Sequence, residues 1–221
     1  MALIEPVKQK IEQPGTTKTR SANLRIWHWL NVIAISGSLI TVLINSTLLK
    51  SRQQAPLVQS ELAKNGAGVT LDQARAAVHV LSDKVWDIHV YFGYALVALL
   101  LFRLLAEFFE LADQKFIITL KKAWQQFNNT KKAREKTRHE LFVKSIYVVF
   151  YLLLLTMVLT GLCLAFEKEL PFSSSMQHTI KEVHGFCMYP ILLFIVIHIA
   201  GVILAERKDG KGIVSDMING G

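Results

Sequence analysis

The sequence contains few cysteines, and this excludes the common redox motifs that are built on cysteine. Cys163 and Cys187 are the only two among 221 residues, and each lies inside an apolar run. They form no CxxC or CxxCH pair and no spacing that holds an iron–sulfur cluster. We therefore expect both to be small apolar side chains of the core.

The amino terminus lacks the apolar segment of a secretory signal peptide. Residues 1–24 are polar and contain Pro6, Pro14 and Gly15. Without an apolar h-region they are not a cleavable signal peptide. We expect them to form a flexible, basic cytoplasmic tail. The chain also shows no internal repeat and no long low-complexity tract.

Charged residues are scarce in four long apolar blocks. The chain is 52% hydrophobic with a mean hydropathy of +0.34, and this excess is concentrated in those blocks. Each block is long enough to cross a bilayer as a helix. The sequence therefore predicts an all-α integral membrane protein, with one four-helix bundle over residues 25–221. The predicted spans cover about 26–49, 86–109, 145–166 and 183–205.

Basic residues are unevenly distributed among the loops. Of the 25 lysines and arginines, 18 lie in the amino-terminal segment, in residues 103–144 and in the carboxyl-terminal tail, and 7 lie in the other two loops. The positive-inside rule then predicts that both termini are cytoplasmic, in a cell inner membrane. This topology also explains the net charge of +8, so we expect no nucleic-acid partner.

Two loop segments have the pattern of amphipathic helices. Residues 71–86 predict a short helix on the outer membrane surface, since apolar residues recur there at helical spacing. The inner loop predicts a second, interfacial helix, because its apolar residues alternate with lysines. These apolar residues are Phe116, Ile117, Leu120, Trp124 and Phe127.

The fourth span carries two histidines. His184 and His198 lie within the run 183–205, which has no Asp, Glu, Lys or Arg. Their positions differ by fourteen, close to four helical turns, so both imidazoles face roughly one way, about 21 Å apart along the axis. An ionisable side chain at membrane depth is costly and indicates function. The spacing predicts two sites in series across the membrane.

Two further histidines match these by depth. His28 begins the outward-going first span, which places it near the inner face with His198. His89 begins the inward-going second span, which places it near the outer face with His184. Two imidazoles facing each other across a bundle can hold a haem iron from both sides. Such a site has no open coordination position, which suits electron transfer. We therefore predict two bis-histidine haems b.

Three other residues fit this interpretation. Gly93 lies on the same helix face as His89, where the absence of a side chain leaves room for a porphyrin. Arg103 follows His89 at the same spacing that separates His198 from His184, and Arg25 lies one turn before His28. We predict that these two arginines bind haem propionates, because a guanidinium pairs well with a carboxylate.

The remaining histidines are weaker candidates. His79 and His178 lie in outer loops, where we expect them to be solvated. His139 lies at the membrane boundary, and a role in quinone binding or proton transfer is the alternative to a plain boundary position.

At these residues the chain resembles the membrane cytochrome b subunits of nickel–iron hydrogenases and related four-helix di-haem cytochromes b. The resemblance covers nearly all of residues 21–221. It implies that the four paired histidines are haem b ligands and that electrons pass between a partner redox subunit, or superoxide in one branch, and the membrane quinone pool. The motifs that carry it are Arg25-x-x-His28, His89-x-x-x-Gly93 with Arg103, Thr160-Gly161, the pair His184 and His198, and Ser215-x-Met217-Ile218-Asn219-Gly220.

The chain departs from that family at the entry to the third span. The hydrogenase subunits have a His-Asn-Pro run there, whereas this sequence reads His139-Glu140-Leu141. A quinone site lined by that run would be altered. The long loops, including the outer loop 50–84, favour a subunit that docks a redox partner over a self-sufficient superoxide:quinone oxidoreductase.

Two functions of another class compete with electron transfer. A metal or proton transporter would use intramembrane histidines together with acidic residues, yet Asp87 and Glu107 lie only at span boundaries. A haem-free anchor for a peripheral enzyme would not need histidines matched by depth. A ferric-reductase-type protein also pairs histidines, but it usually adds flavin and nucleotide domains.

Overall fold

Six helices have defined bounds within the part of the chain that the structure describes. The computed structural model describes residues 21–109, 124–125, 134–207 and 212–220, and it gives only the backbone at 107–109, 134–137, 139 and 140. Within these ranges there is no β-strand. The helices are α1 (Ala22–Thr47), α2 (Ser51–Lys64), α3 (Leu71–Phe109), α4 (Arg134–Ala165), α5 (Ser174–Arg207) and α6 (Ile213–Ile218).

Four of these helices are long and apolar enough to cross a membrane. The candidate spans lie in Ala22–Thr47, Leu71–Ala106, Leu141–Ala165 and Ser174–Arg207. The all-α fold with four membrane helices, predicted from hydropathy, is thereby confirmed. At about 1.5 Å per residue each of these helices reaches at least about 39 Å, which exceeds the roughly 30 Å hydrocarbon core.

Helix α3 extends well beyond its apolar part. It has 39 residues without interruption, or about 58 Å. A reciprocal capping box starts it: the Thr70 N–H donates to Gln73 Oε1 (2.8 Å), and the Gln73 N–H donates to Thr70 Oγ1 (3.2 Å). The separate surface helix expected over 71–86 is therefore wrong, because that segment is the first part of α3. No glycine or proline occurs between Leu71 and Gly93 to end the helix.

Helix α2 packs against this extension of α3. Small apolar side chains meet at the contact: Ala55 of α2 is buried, as are Ala74 and Val78 of α3. The two helices form a hairpin at the end of α3 opposite to its long apolar segment. We call residues 51–85 the outer hairpin, after the outer loop that the sequence predicts at 50–84.

The membrane helices associate in two pairs. Helix α1 packs along α3, and α4 packs along α5, with further contact between α3 and α4. The Trp27 indole N–H of α1 donates to the Leu99 carbonyl of α3 at 2.8 Å. A glycine is required at 37 because the ring of Phe92 occupies the place of its Cβ. The core between the pairs consists of Ala34, Leu96, Leu100, Phe150, Leu154 and Val158.

The carboxyl-terminal residues 212–220 fold back onto the start of α1. The Glu206 carboxylate accepts hydrogen bonds from the backbone N–H groups of Gly212 (2.8 Å) and Val214 (3.1 Å). The Trp29 indole donates to the Met217 carbonyl at 3.0 Å. These contacts place α6 against the end of the bundle where α1 begins.

Two predicted features lie mainly outside the described residues. The amino-terminal tail is described only from Ser21 onward. Of the interfacial helix expected in the inner loop, only Trp124 and Gln125 are described, and both are helical and exposed.

Candidate functional site

Two pairs of histidines face each other at two levels of the bundle. The ring centroids of His28 on α1 and His198 on α5 are 6.2 Å apart. Those of His89 on α3 and His184 on α5 are 6.3 Å apart. These are the pairs expected from depth, and α5 contributes one member to each. We call His89 and His184 the outer pair, and His28 and His198 the inner pair, after the membrane faces that the sequence predicts for them.

The outer pair is held by hydrogen bonds at Nδ1. His89 Nδ1 lies 2.9 Å from Thr41 Oγ1 and 3.3 Å from both the hydroxyl and the carbonyl of Ser38. His184 Nδ1 lies 2.9 Å from Thr160 Oγ1. Thr41 is buried, whereas Ser38 and Thr160 are half-buried. Each imidazole of this pair thus contacts a threonine hydroxyl on a helix that neighbours its own.

A glycine lets His184 approach α4 closely. A Cβ at Gly161 would lie 3.2 Å from Cε1 of His184, which is tighter than an ordinary carbon contact. The adjacent residues Thr160 and Gly161 therefore act on the same ring, one through a hydrogen bond and the other through its lack of a side chain.

The inner pair is held by aromatic packing. The ring of His198 is stacked on Phe194, with centroids 5.7 Å apart and an interplanar angle of 10°, and Tyr147 approaches it edge-on. His28 contacts Trp29 edge-on at 5.3 Å. The His28 Nδ1 atom is buried and has no hydrogen-bond partner within the described part of the protein.

An apolar layer separates the two pairs. Phe150 and Phe194 are stacked with ring centroids 4.2 Å apart, and Leu154 is only 1% exposed. The layer continues to His198 through its contact with Phe194. Packed apolar side chains of this kind have a low local dielectric.

The structure places the predicted arginines and glycine as follows. Arg25 is half-buried, and its guanidinium lies against Gly220, where it occupies the place of a Cβ. Its Nε and Nη1 atoms are buried without a hydrogen-bond partner among the described residues. Gly93 lies on α3 next to open space, since a Cβ there would meet nothing within 4 Å. Arg103 is half-buried on α3 and takes part in an interaction within the protein.

The other histidines do not join the pairs. His79 is exposed on the outer hairpin. His178 is exposed on α5 and lies 3.2 Å from the Glu182 carboxylate. The side chain of His139 lies outside the description. Across the described residues, no group of three or more histidine, cysteine or acidic side chains could hold a bare metal ion.

Sequence reasoning missed the threonine at the outer pair on α1. The polar residues Ser38, Thr41 and Asn45 recur at intervals of three and four in the uncharged first span. That spacing puts them on one helix face, and it is the signal that could have indicated a contact with a functional group. Thr160 was recognised only as part of a family motif.

The fold and these pairs define a class: a four-helix membrane protein with facing imidazoles at two levels along one helix. The model of the prokaryotic cytochrome b561 family matches residues 20–220, and the chain belongs to that family. It is therefore a membrane b-type cytochrome that functions in electron transfer, with haem b as the cofactor that the family implies. Searches of curated proteins and of solved structures gave no match.

Proposed function

We propose that this chain is a di-haem cytochrome b that carries electrons across the membrane between a redox partner protein and the quinone pool. In this proposal His89 and His184 hold the outer haem, and His28 and His198 hold the inner haem. Haem b between two imidazoles supplies a reversible one-electron iron couple. The protein holds the two sites in series, with an apolar layer between them.

The separation of the rings in each pair carries the proposal. A metal–imidazole bond is about 2 Å long, so two imidazoles on opposite sides of one iron have centroids about 6.3 Å apart. The observed separations are 6.2 and 6.3 Å. Each pair therefore has the spacing of two axial ligands. The porphyrin provides the other four, so two imidazoles are sufficient, whereas a bare metal ion would need more protein ligands.

The buried guanidinium of Arg25 supports a propionate at the inner level. A buried charged group without a partner is costly, and a carboxylate would offset that cost through charge-assisted hydrogen bonds. Arg25 lies one turn before His28 and has two buried nitrogen atoms that lack a partner among the described residues. We assign it, together with Arg103, to the haem propionates. The open space beside Gly93 is assigned to the outer porphyrin.

The outer hairpin favours a partner protein over a self-sufficient superoxide:quinone oxidoreductase. Helix α2 and the first turns of α3 pack through Ala55, Ala74 and Val78, which builds a folded surface beyond the apolar segment. Oxidation of a small molecule would not require such a surface. We place it outside the inner membrane, with both termini in the cytoplasm, as the distribution of basic residues indicates.

The competing functions are less well supported by the site. A metal transporter would need clusters of ligands, whereas the described residues bring histidines together only in twos. A haem-free anchor does not account for two imidazole pairs with nearly the same centroid separation, 6.2 Å in one and 6.3 Å in the other.

Haem content per polypeptide tests the proposal. We expect about two non-covalent b haems per chain in detergent-purified protein, by pyridine haemochrome assay and by reduced-minus-oxidised spectra. His89→Ala and His28→Ala should each remove one haem, from the outer and the inner level respectively. His79→Ala is the matched control and should keep both. If protein produced with an ample supply of haem contained no bound haem, the electron-transfer assignment would be refuted.

A further inference from the structure

We propose that Thr41 and Thr160 are positioning residues of the outer pair: each accepts a hydrogen bond from the Nδ1–H of its histidine, so that Nε2 is left to bind iron. This rests on the proposed function, and it adds an electronic difference between the two haem levels. The arrangement stabilises the ferric state at the outer level more than at the inner level.

The hydroxyl proton of Thr41 is donated to a backbone carbonyl and not to His89. Thr41 Oγ1 donates to the Ser38 carbonyl at 2.6 Å, so its oxygen is left as an acceptor for His89, 2.9 Å away. The Ser38 carbonyl, which can only accept, also lies 3.3 Å from the same Nδ1. Both contacts require the proton to be on Nδ1, and this leaves the lone pair on Nε2.

Thr160 repeats this arrangement from another helix. Its hydroxyl donates to the Thr156 carbonyl at 2.6 Å and lies 2.9 Å from His184 Nδ1. Each histidine of the outer pair thus has a threonine hydroxyl at the same distance, 2.9 Å, and each hydroxyl donates its own proton to a backbone carbonyl.

The inner pair does not share this arrangement. His28 Nδ1 is buried without a hydrogen-bond partner in the described part of the chain. The contacts that orient His198 are the rings of Phe194 and Tyr147. The cationic Arg25 also lies one turn from His28. The inner level therefore has aromatic packing and a nearby positive charge where the outer level has hydrogen-bond acceptors.

These differences act on the iron in one direction. An imidazole that donates from its distal N–H is a more basic ligand, and a more basic ligand favours ferric over ferrous iron. A nearby positive charge favours the ferrous state, because this state carries one positive charge less. Both effects place the midpoint potential of the outer haem below that of the inner haem. Electrons entering at the outer level would then move downhill to the inner level.

Equilibrium redox titration of the purified di-haem protein tests the inference. The variants are Thr41→Val and Thr160→Val, which remove the acceptor at similar volume, and Thr41→Ser and Thr160→Ser, which keep it. Thr47→Val and Thr156→Val are the matched controls on α1 and α4. Their hydroxyls likewise donate to backbone carbonyls, at Leu43 (2.6 Å) and Leu152 (2.9 Å). Low-temperature EPR of the ferric protein gives a second readout of ligand orientation.

We expect each valine variant to raise the lower of the two midpoint potentials and to leave the other unchanged. A tenfold change in the ratio of ferric to ferrous affinity corresponds to about 59 mV for one electron, and we expect a shift of that order. The serine variants should return to the wild-type value. Loss of one haem in a valine variant but not in its serine counterpart also supports the positioning role.

Three results would overturn the inference. They are unchanged midpoints in both valine variants, equal shifts of both midpoints, or the same shift in Thr47→Val or Thr156→Val. Failure of the proposed function is distinguishable from these three results. In that case the wild-type protein itself would contain fewer than two haems per chain, before any variant is compared.

Discussion

Replacing Gly93 by alanine should affect the stability of helix α3 and the binding of a porphyrin in opposite directions. Gly93 lies in the helix interior, one turn after His89, and a Cβ there would meet nothing within 4 Å. Alanine is favoured over glycine in a helix interior by about 1 kcal/mol. Protein without cofactor should therefore be more stable with alanine at this position.

The bound cofactor should have the opposite effect on Gly93→Ala. If the porphyrin lies against α3 at an ordinary contact of about 3.5–4 Å, an added methyl group would come within roughly 2.5 Å of the ring. The ring must then move by about 1 Å, which misaligns the bond to His89. We expect at least a tenfold loss of affinity for the outer haem, or about 1.4 kcal/mol.

The matched control is Gly201→Ala on α5, where the added Cβ also meets open space and the residue is exposed. Thermal unfolding of haem-depleted protein and haem content of the loaded protein are the two assays. Both variants should unfold at higher temperature when depleted, and only Gly93→Ala should lose haem. A Gly93→Ala protein with full haem content and an unchanged spectrum would show that no porphyrin lies beside this glycine.

Three further substitutions test the bundle and the inner level. Arg25→Gln should weaken binding of the inner haem by about 1.5–3 kcal/mol, because a charged hydrogen bond to a propionate is lost. The rate of haem transfer to apomyoglobin measures this loss. An unchanged rate would exclude Arg25 as a propionate partner. Trp27→Phe should destabilise the protein by about 1 kcal/mol through loss of the bond to the Leu99 carbonyl, and denaturant unfolding should detect the change. Gly37→Val should cost about 1–3 kcal/mol, since Phe92 occupies the space its side chain needs, and a thermal midpoint equal to wild type would contradict that contact.

The features that local sequence determines were predictable. Span number follows from uninterrupted apolar length, which is read without knowing any tertiary contact. The levels of His184 and His198 follow from helical rise on a single span, and span direction then matches His28 and His89 to them. In the structure His28 faces His198 and His89 faces His184, which are the pairs expected from depth.

The features that depend on helix rotation and on helix ends were less predictable. The contacts of Thr41 and Thr160 depend on how α1 and α4 are rotated toward α3 and α5. The polar face of α1 indicates that Thr41 turns toward another helix, but local sequence does not identify the side chain that it contacts. The outward extension of α3 was missed for another reason. Thr70 and Gln73 form a capping box that sequence alone displays, but the apolar length that defines a span begins only near Trp86 and does not reveal that the helix is continuous from Leu71.

Because α5 carries a histidine of each pair, the depth of the two pairs in the bilayer depends on the thickness of that bilayer. The two histidines are about 21 Å apart along α5, so a hydrocarbon core of about 30 Å centred on them would extend about 4.5 Å beyond each level. The helix cannot shorten, so a bilayer thinner by several ångströms would bring one or both levels into the hydrated headgroup zone. Water there would raise the local dielectric and, where a pair holds haem as proposed, would change the relative energies of the ferric and ferrous states. If both pairs hold haem as proposed, reconstitution in lipids of graded chain length should shift one or both midpoint potentials without any change in the polypeptide.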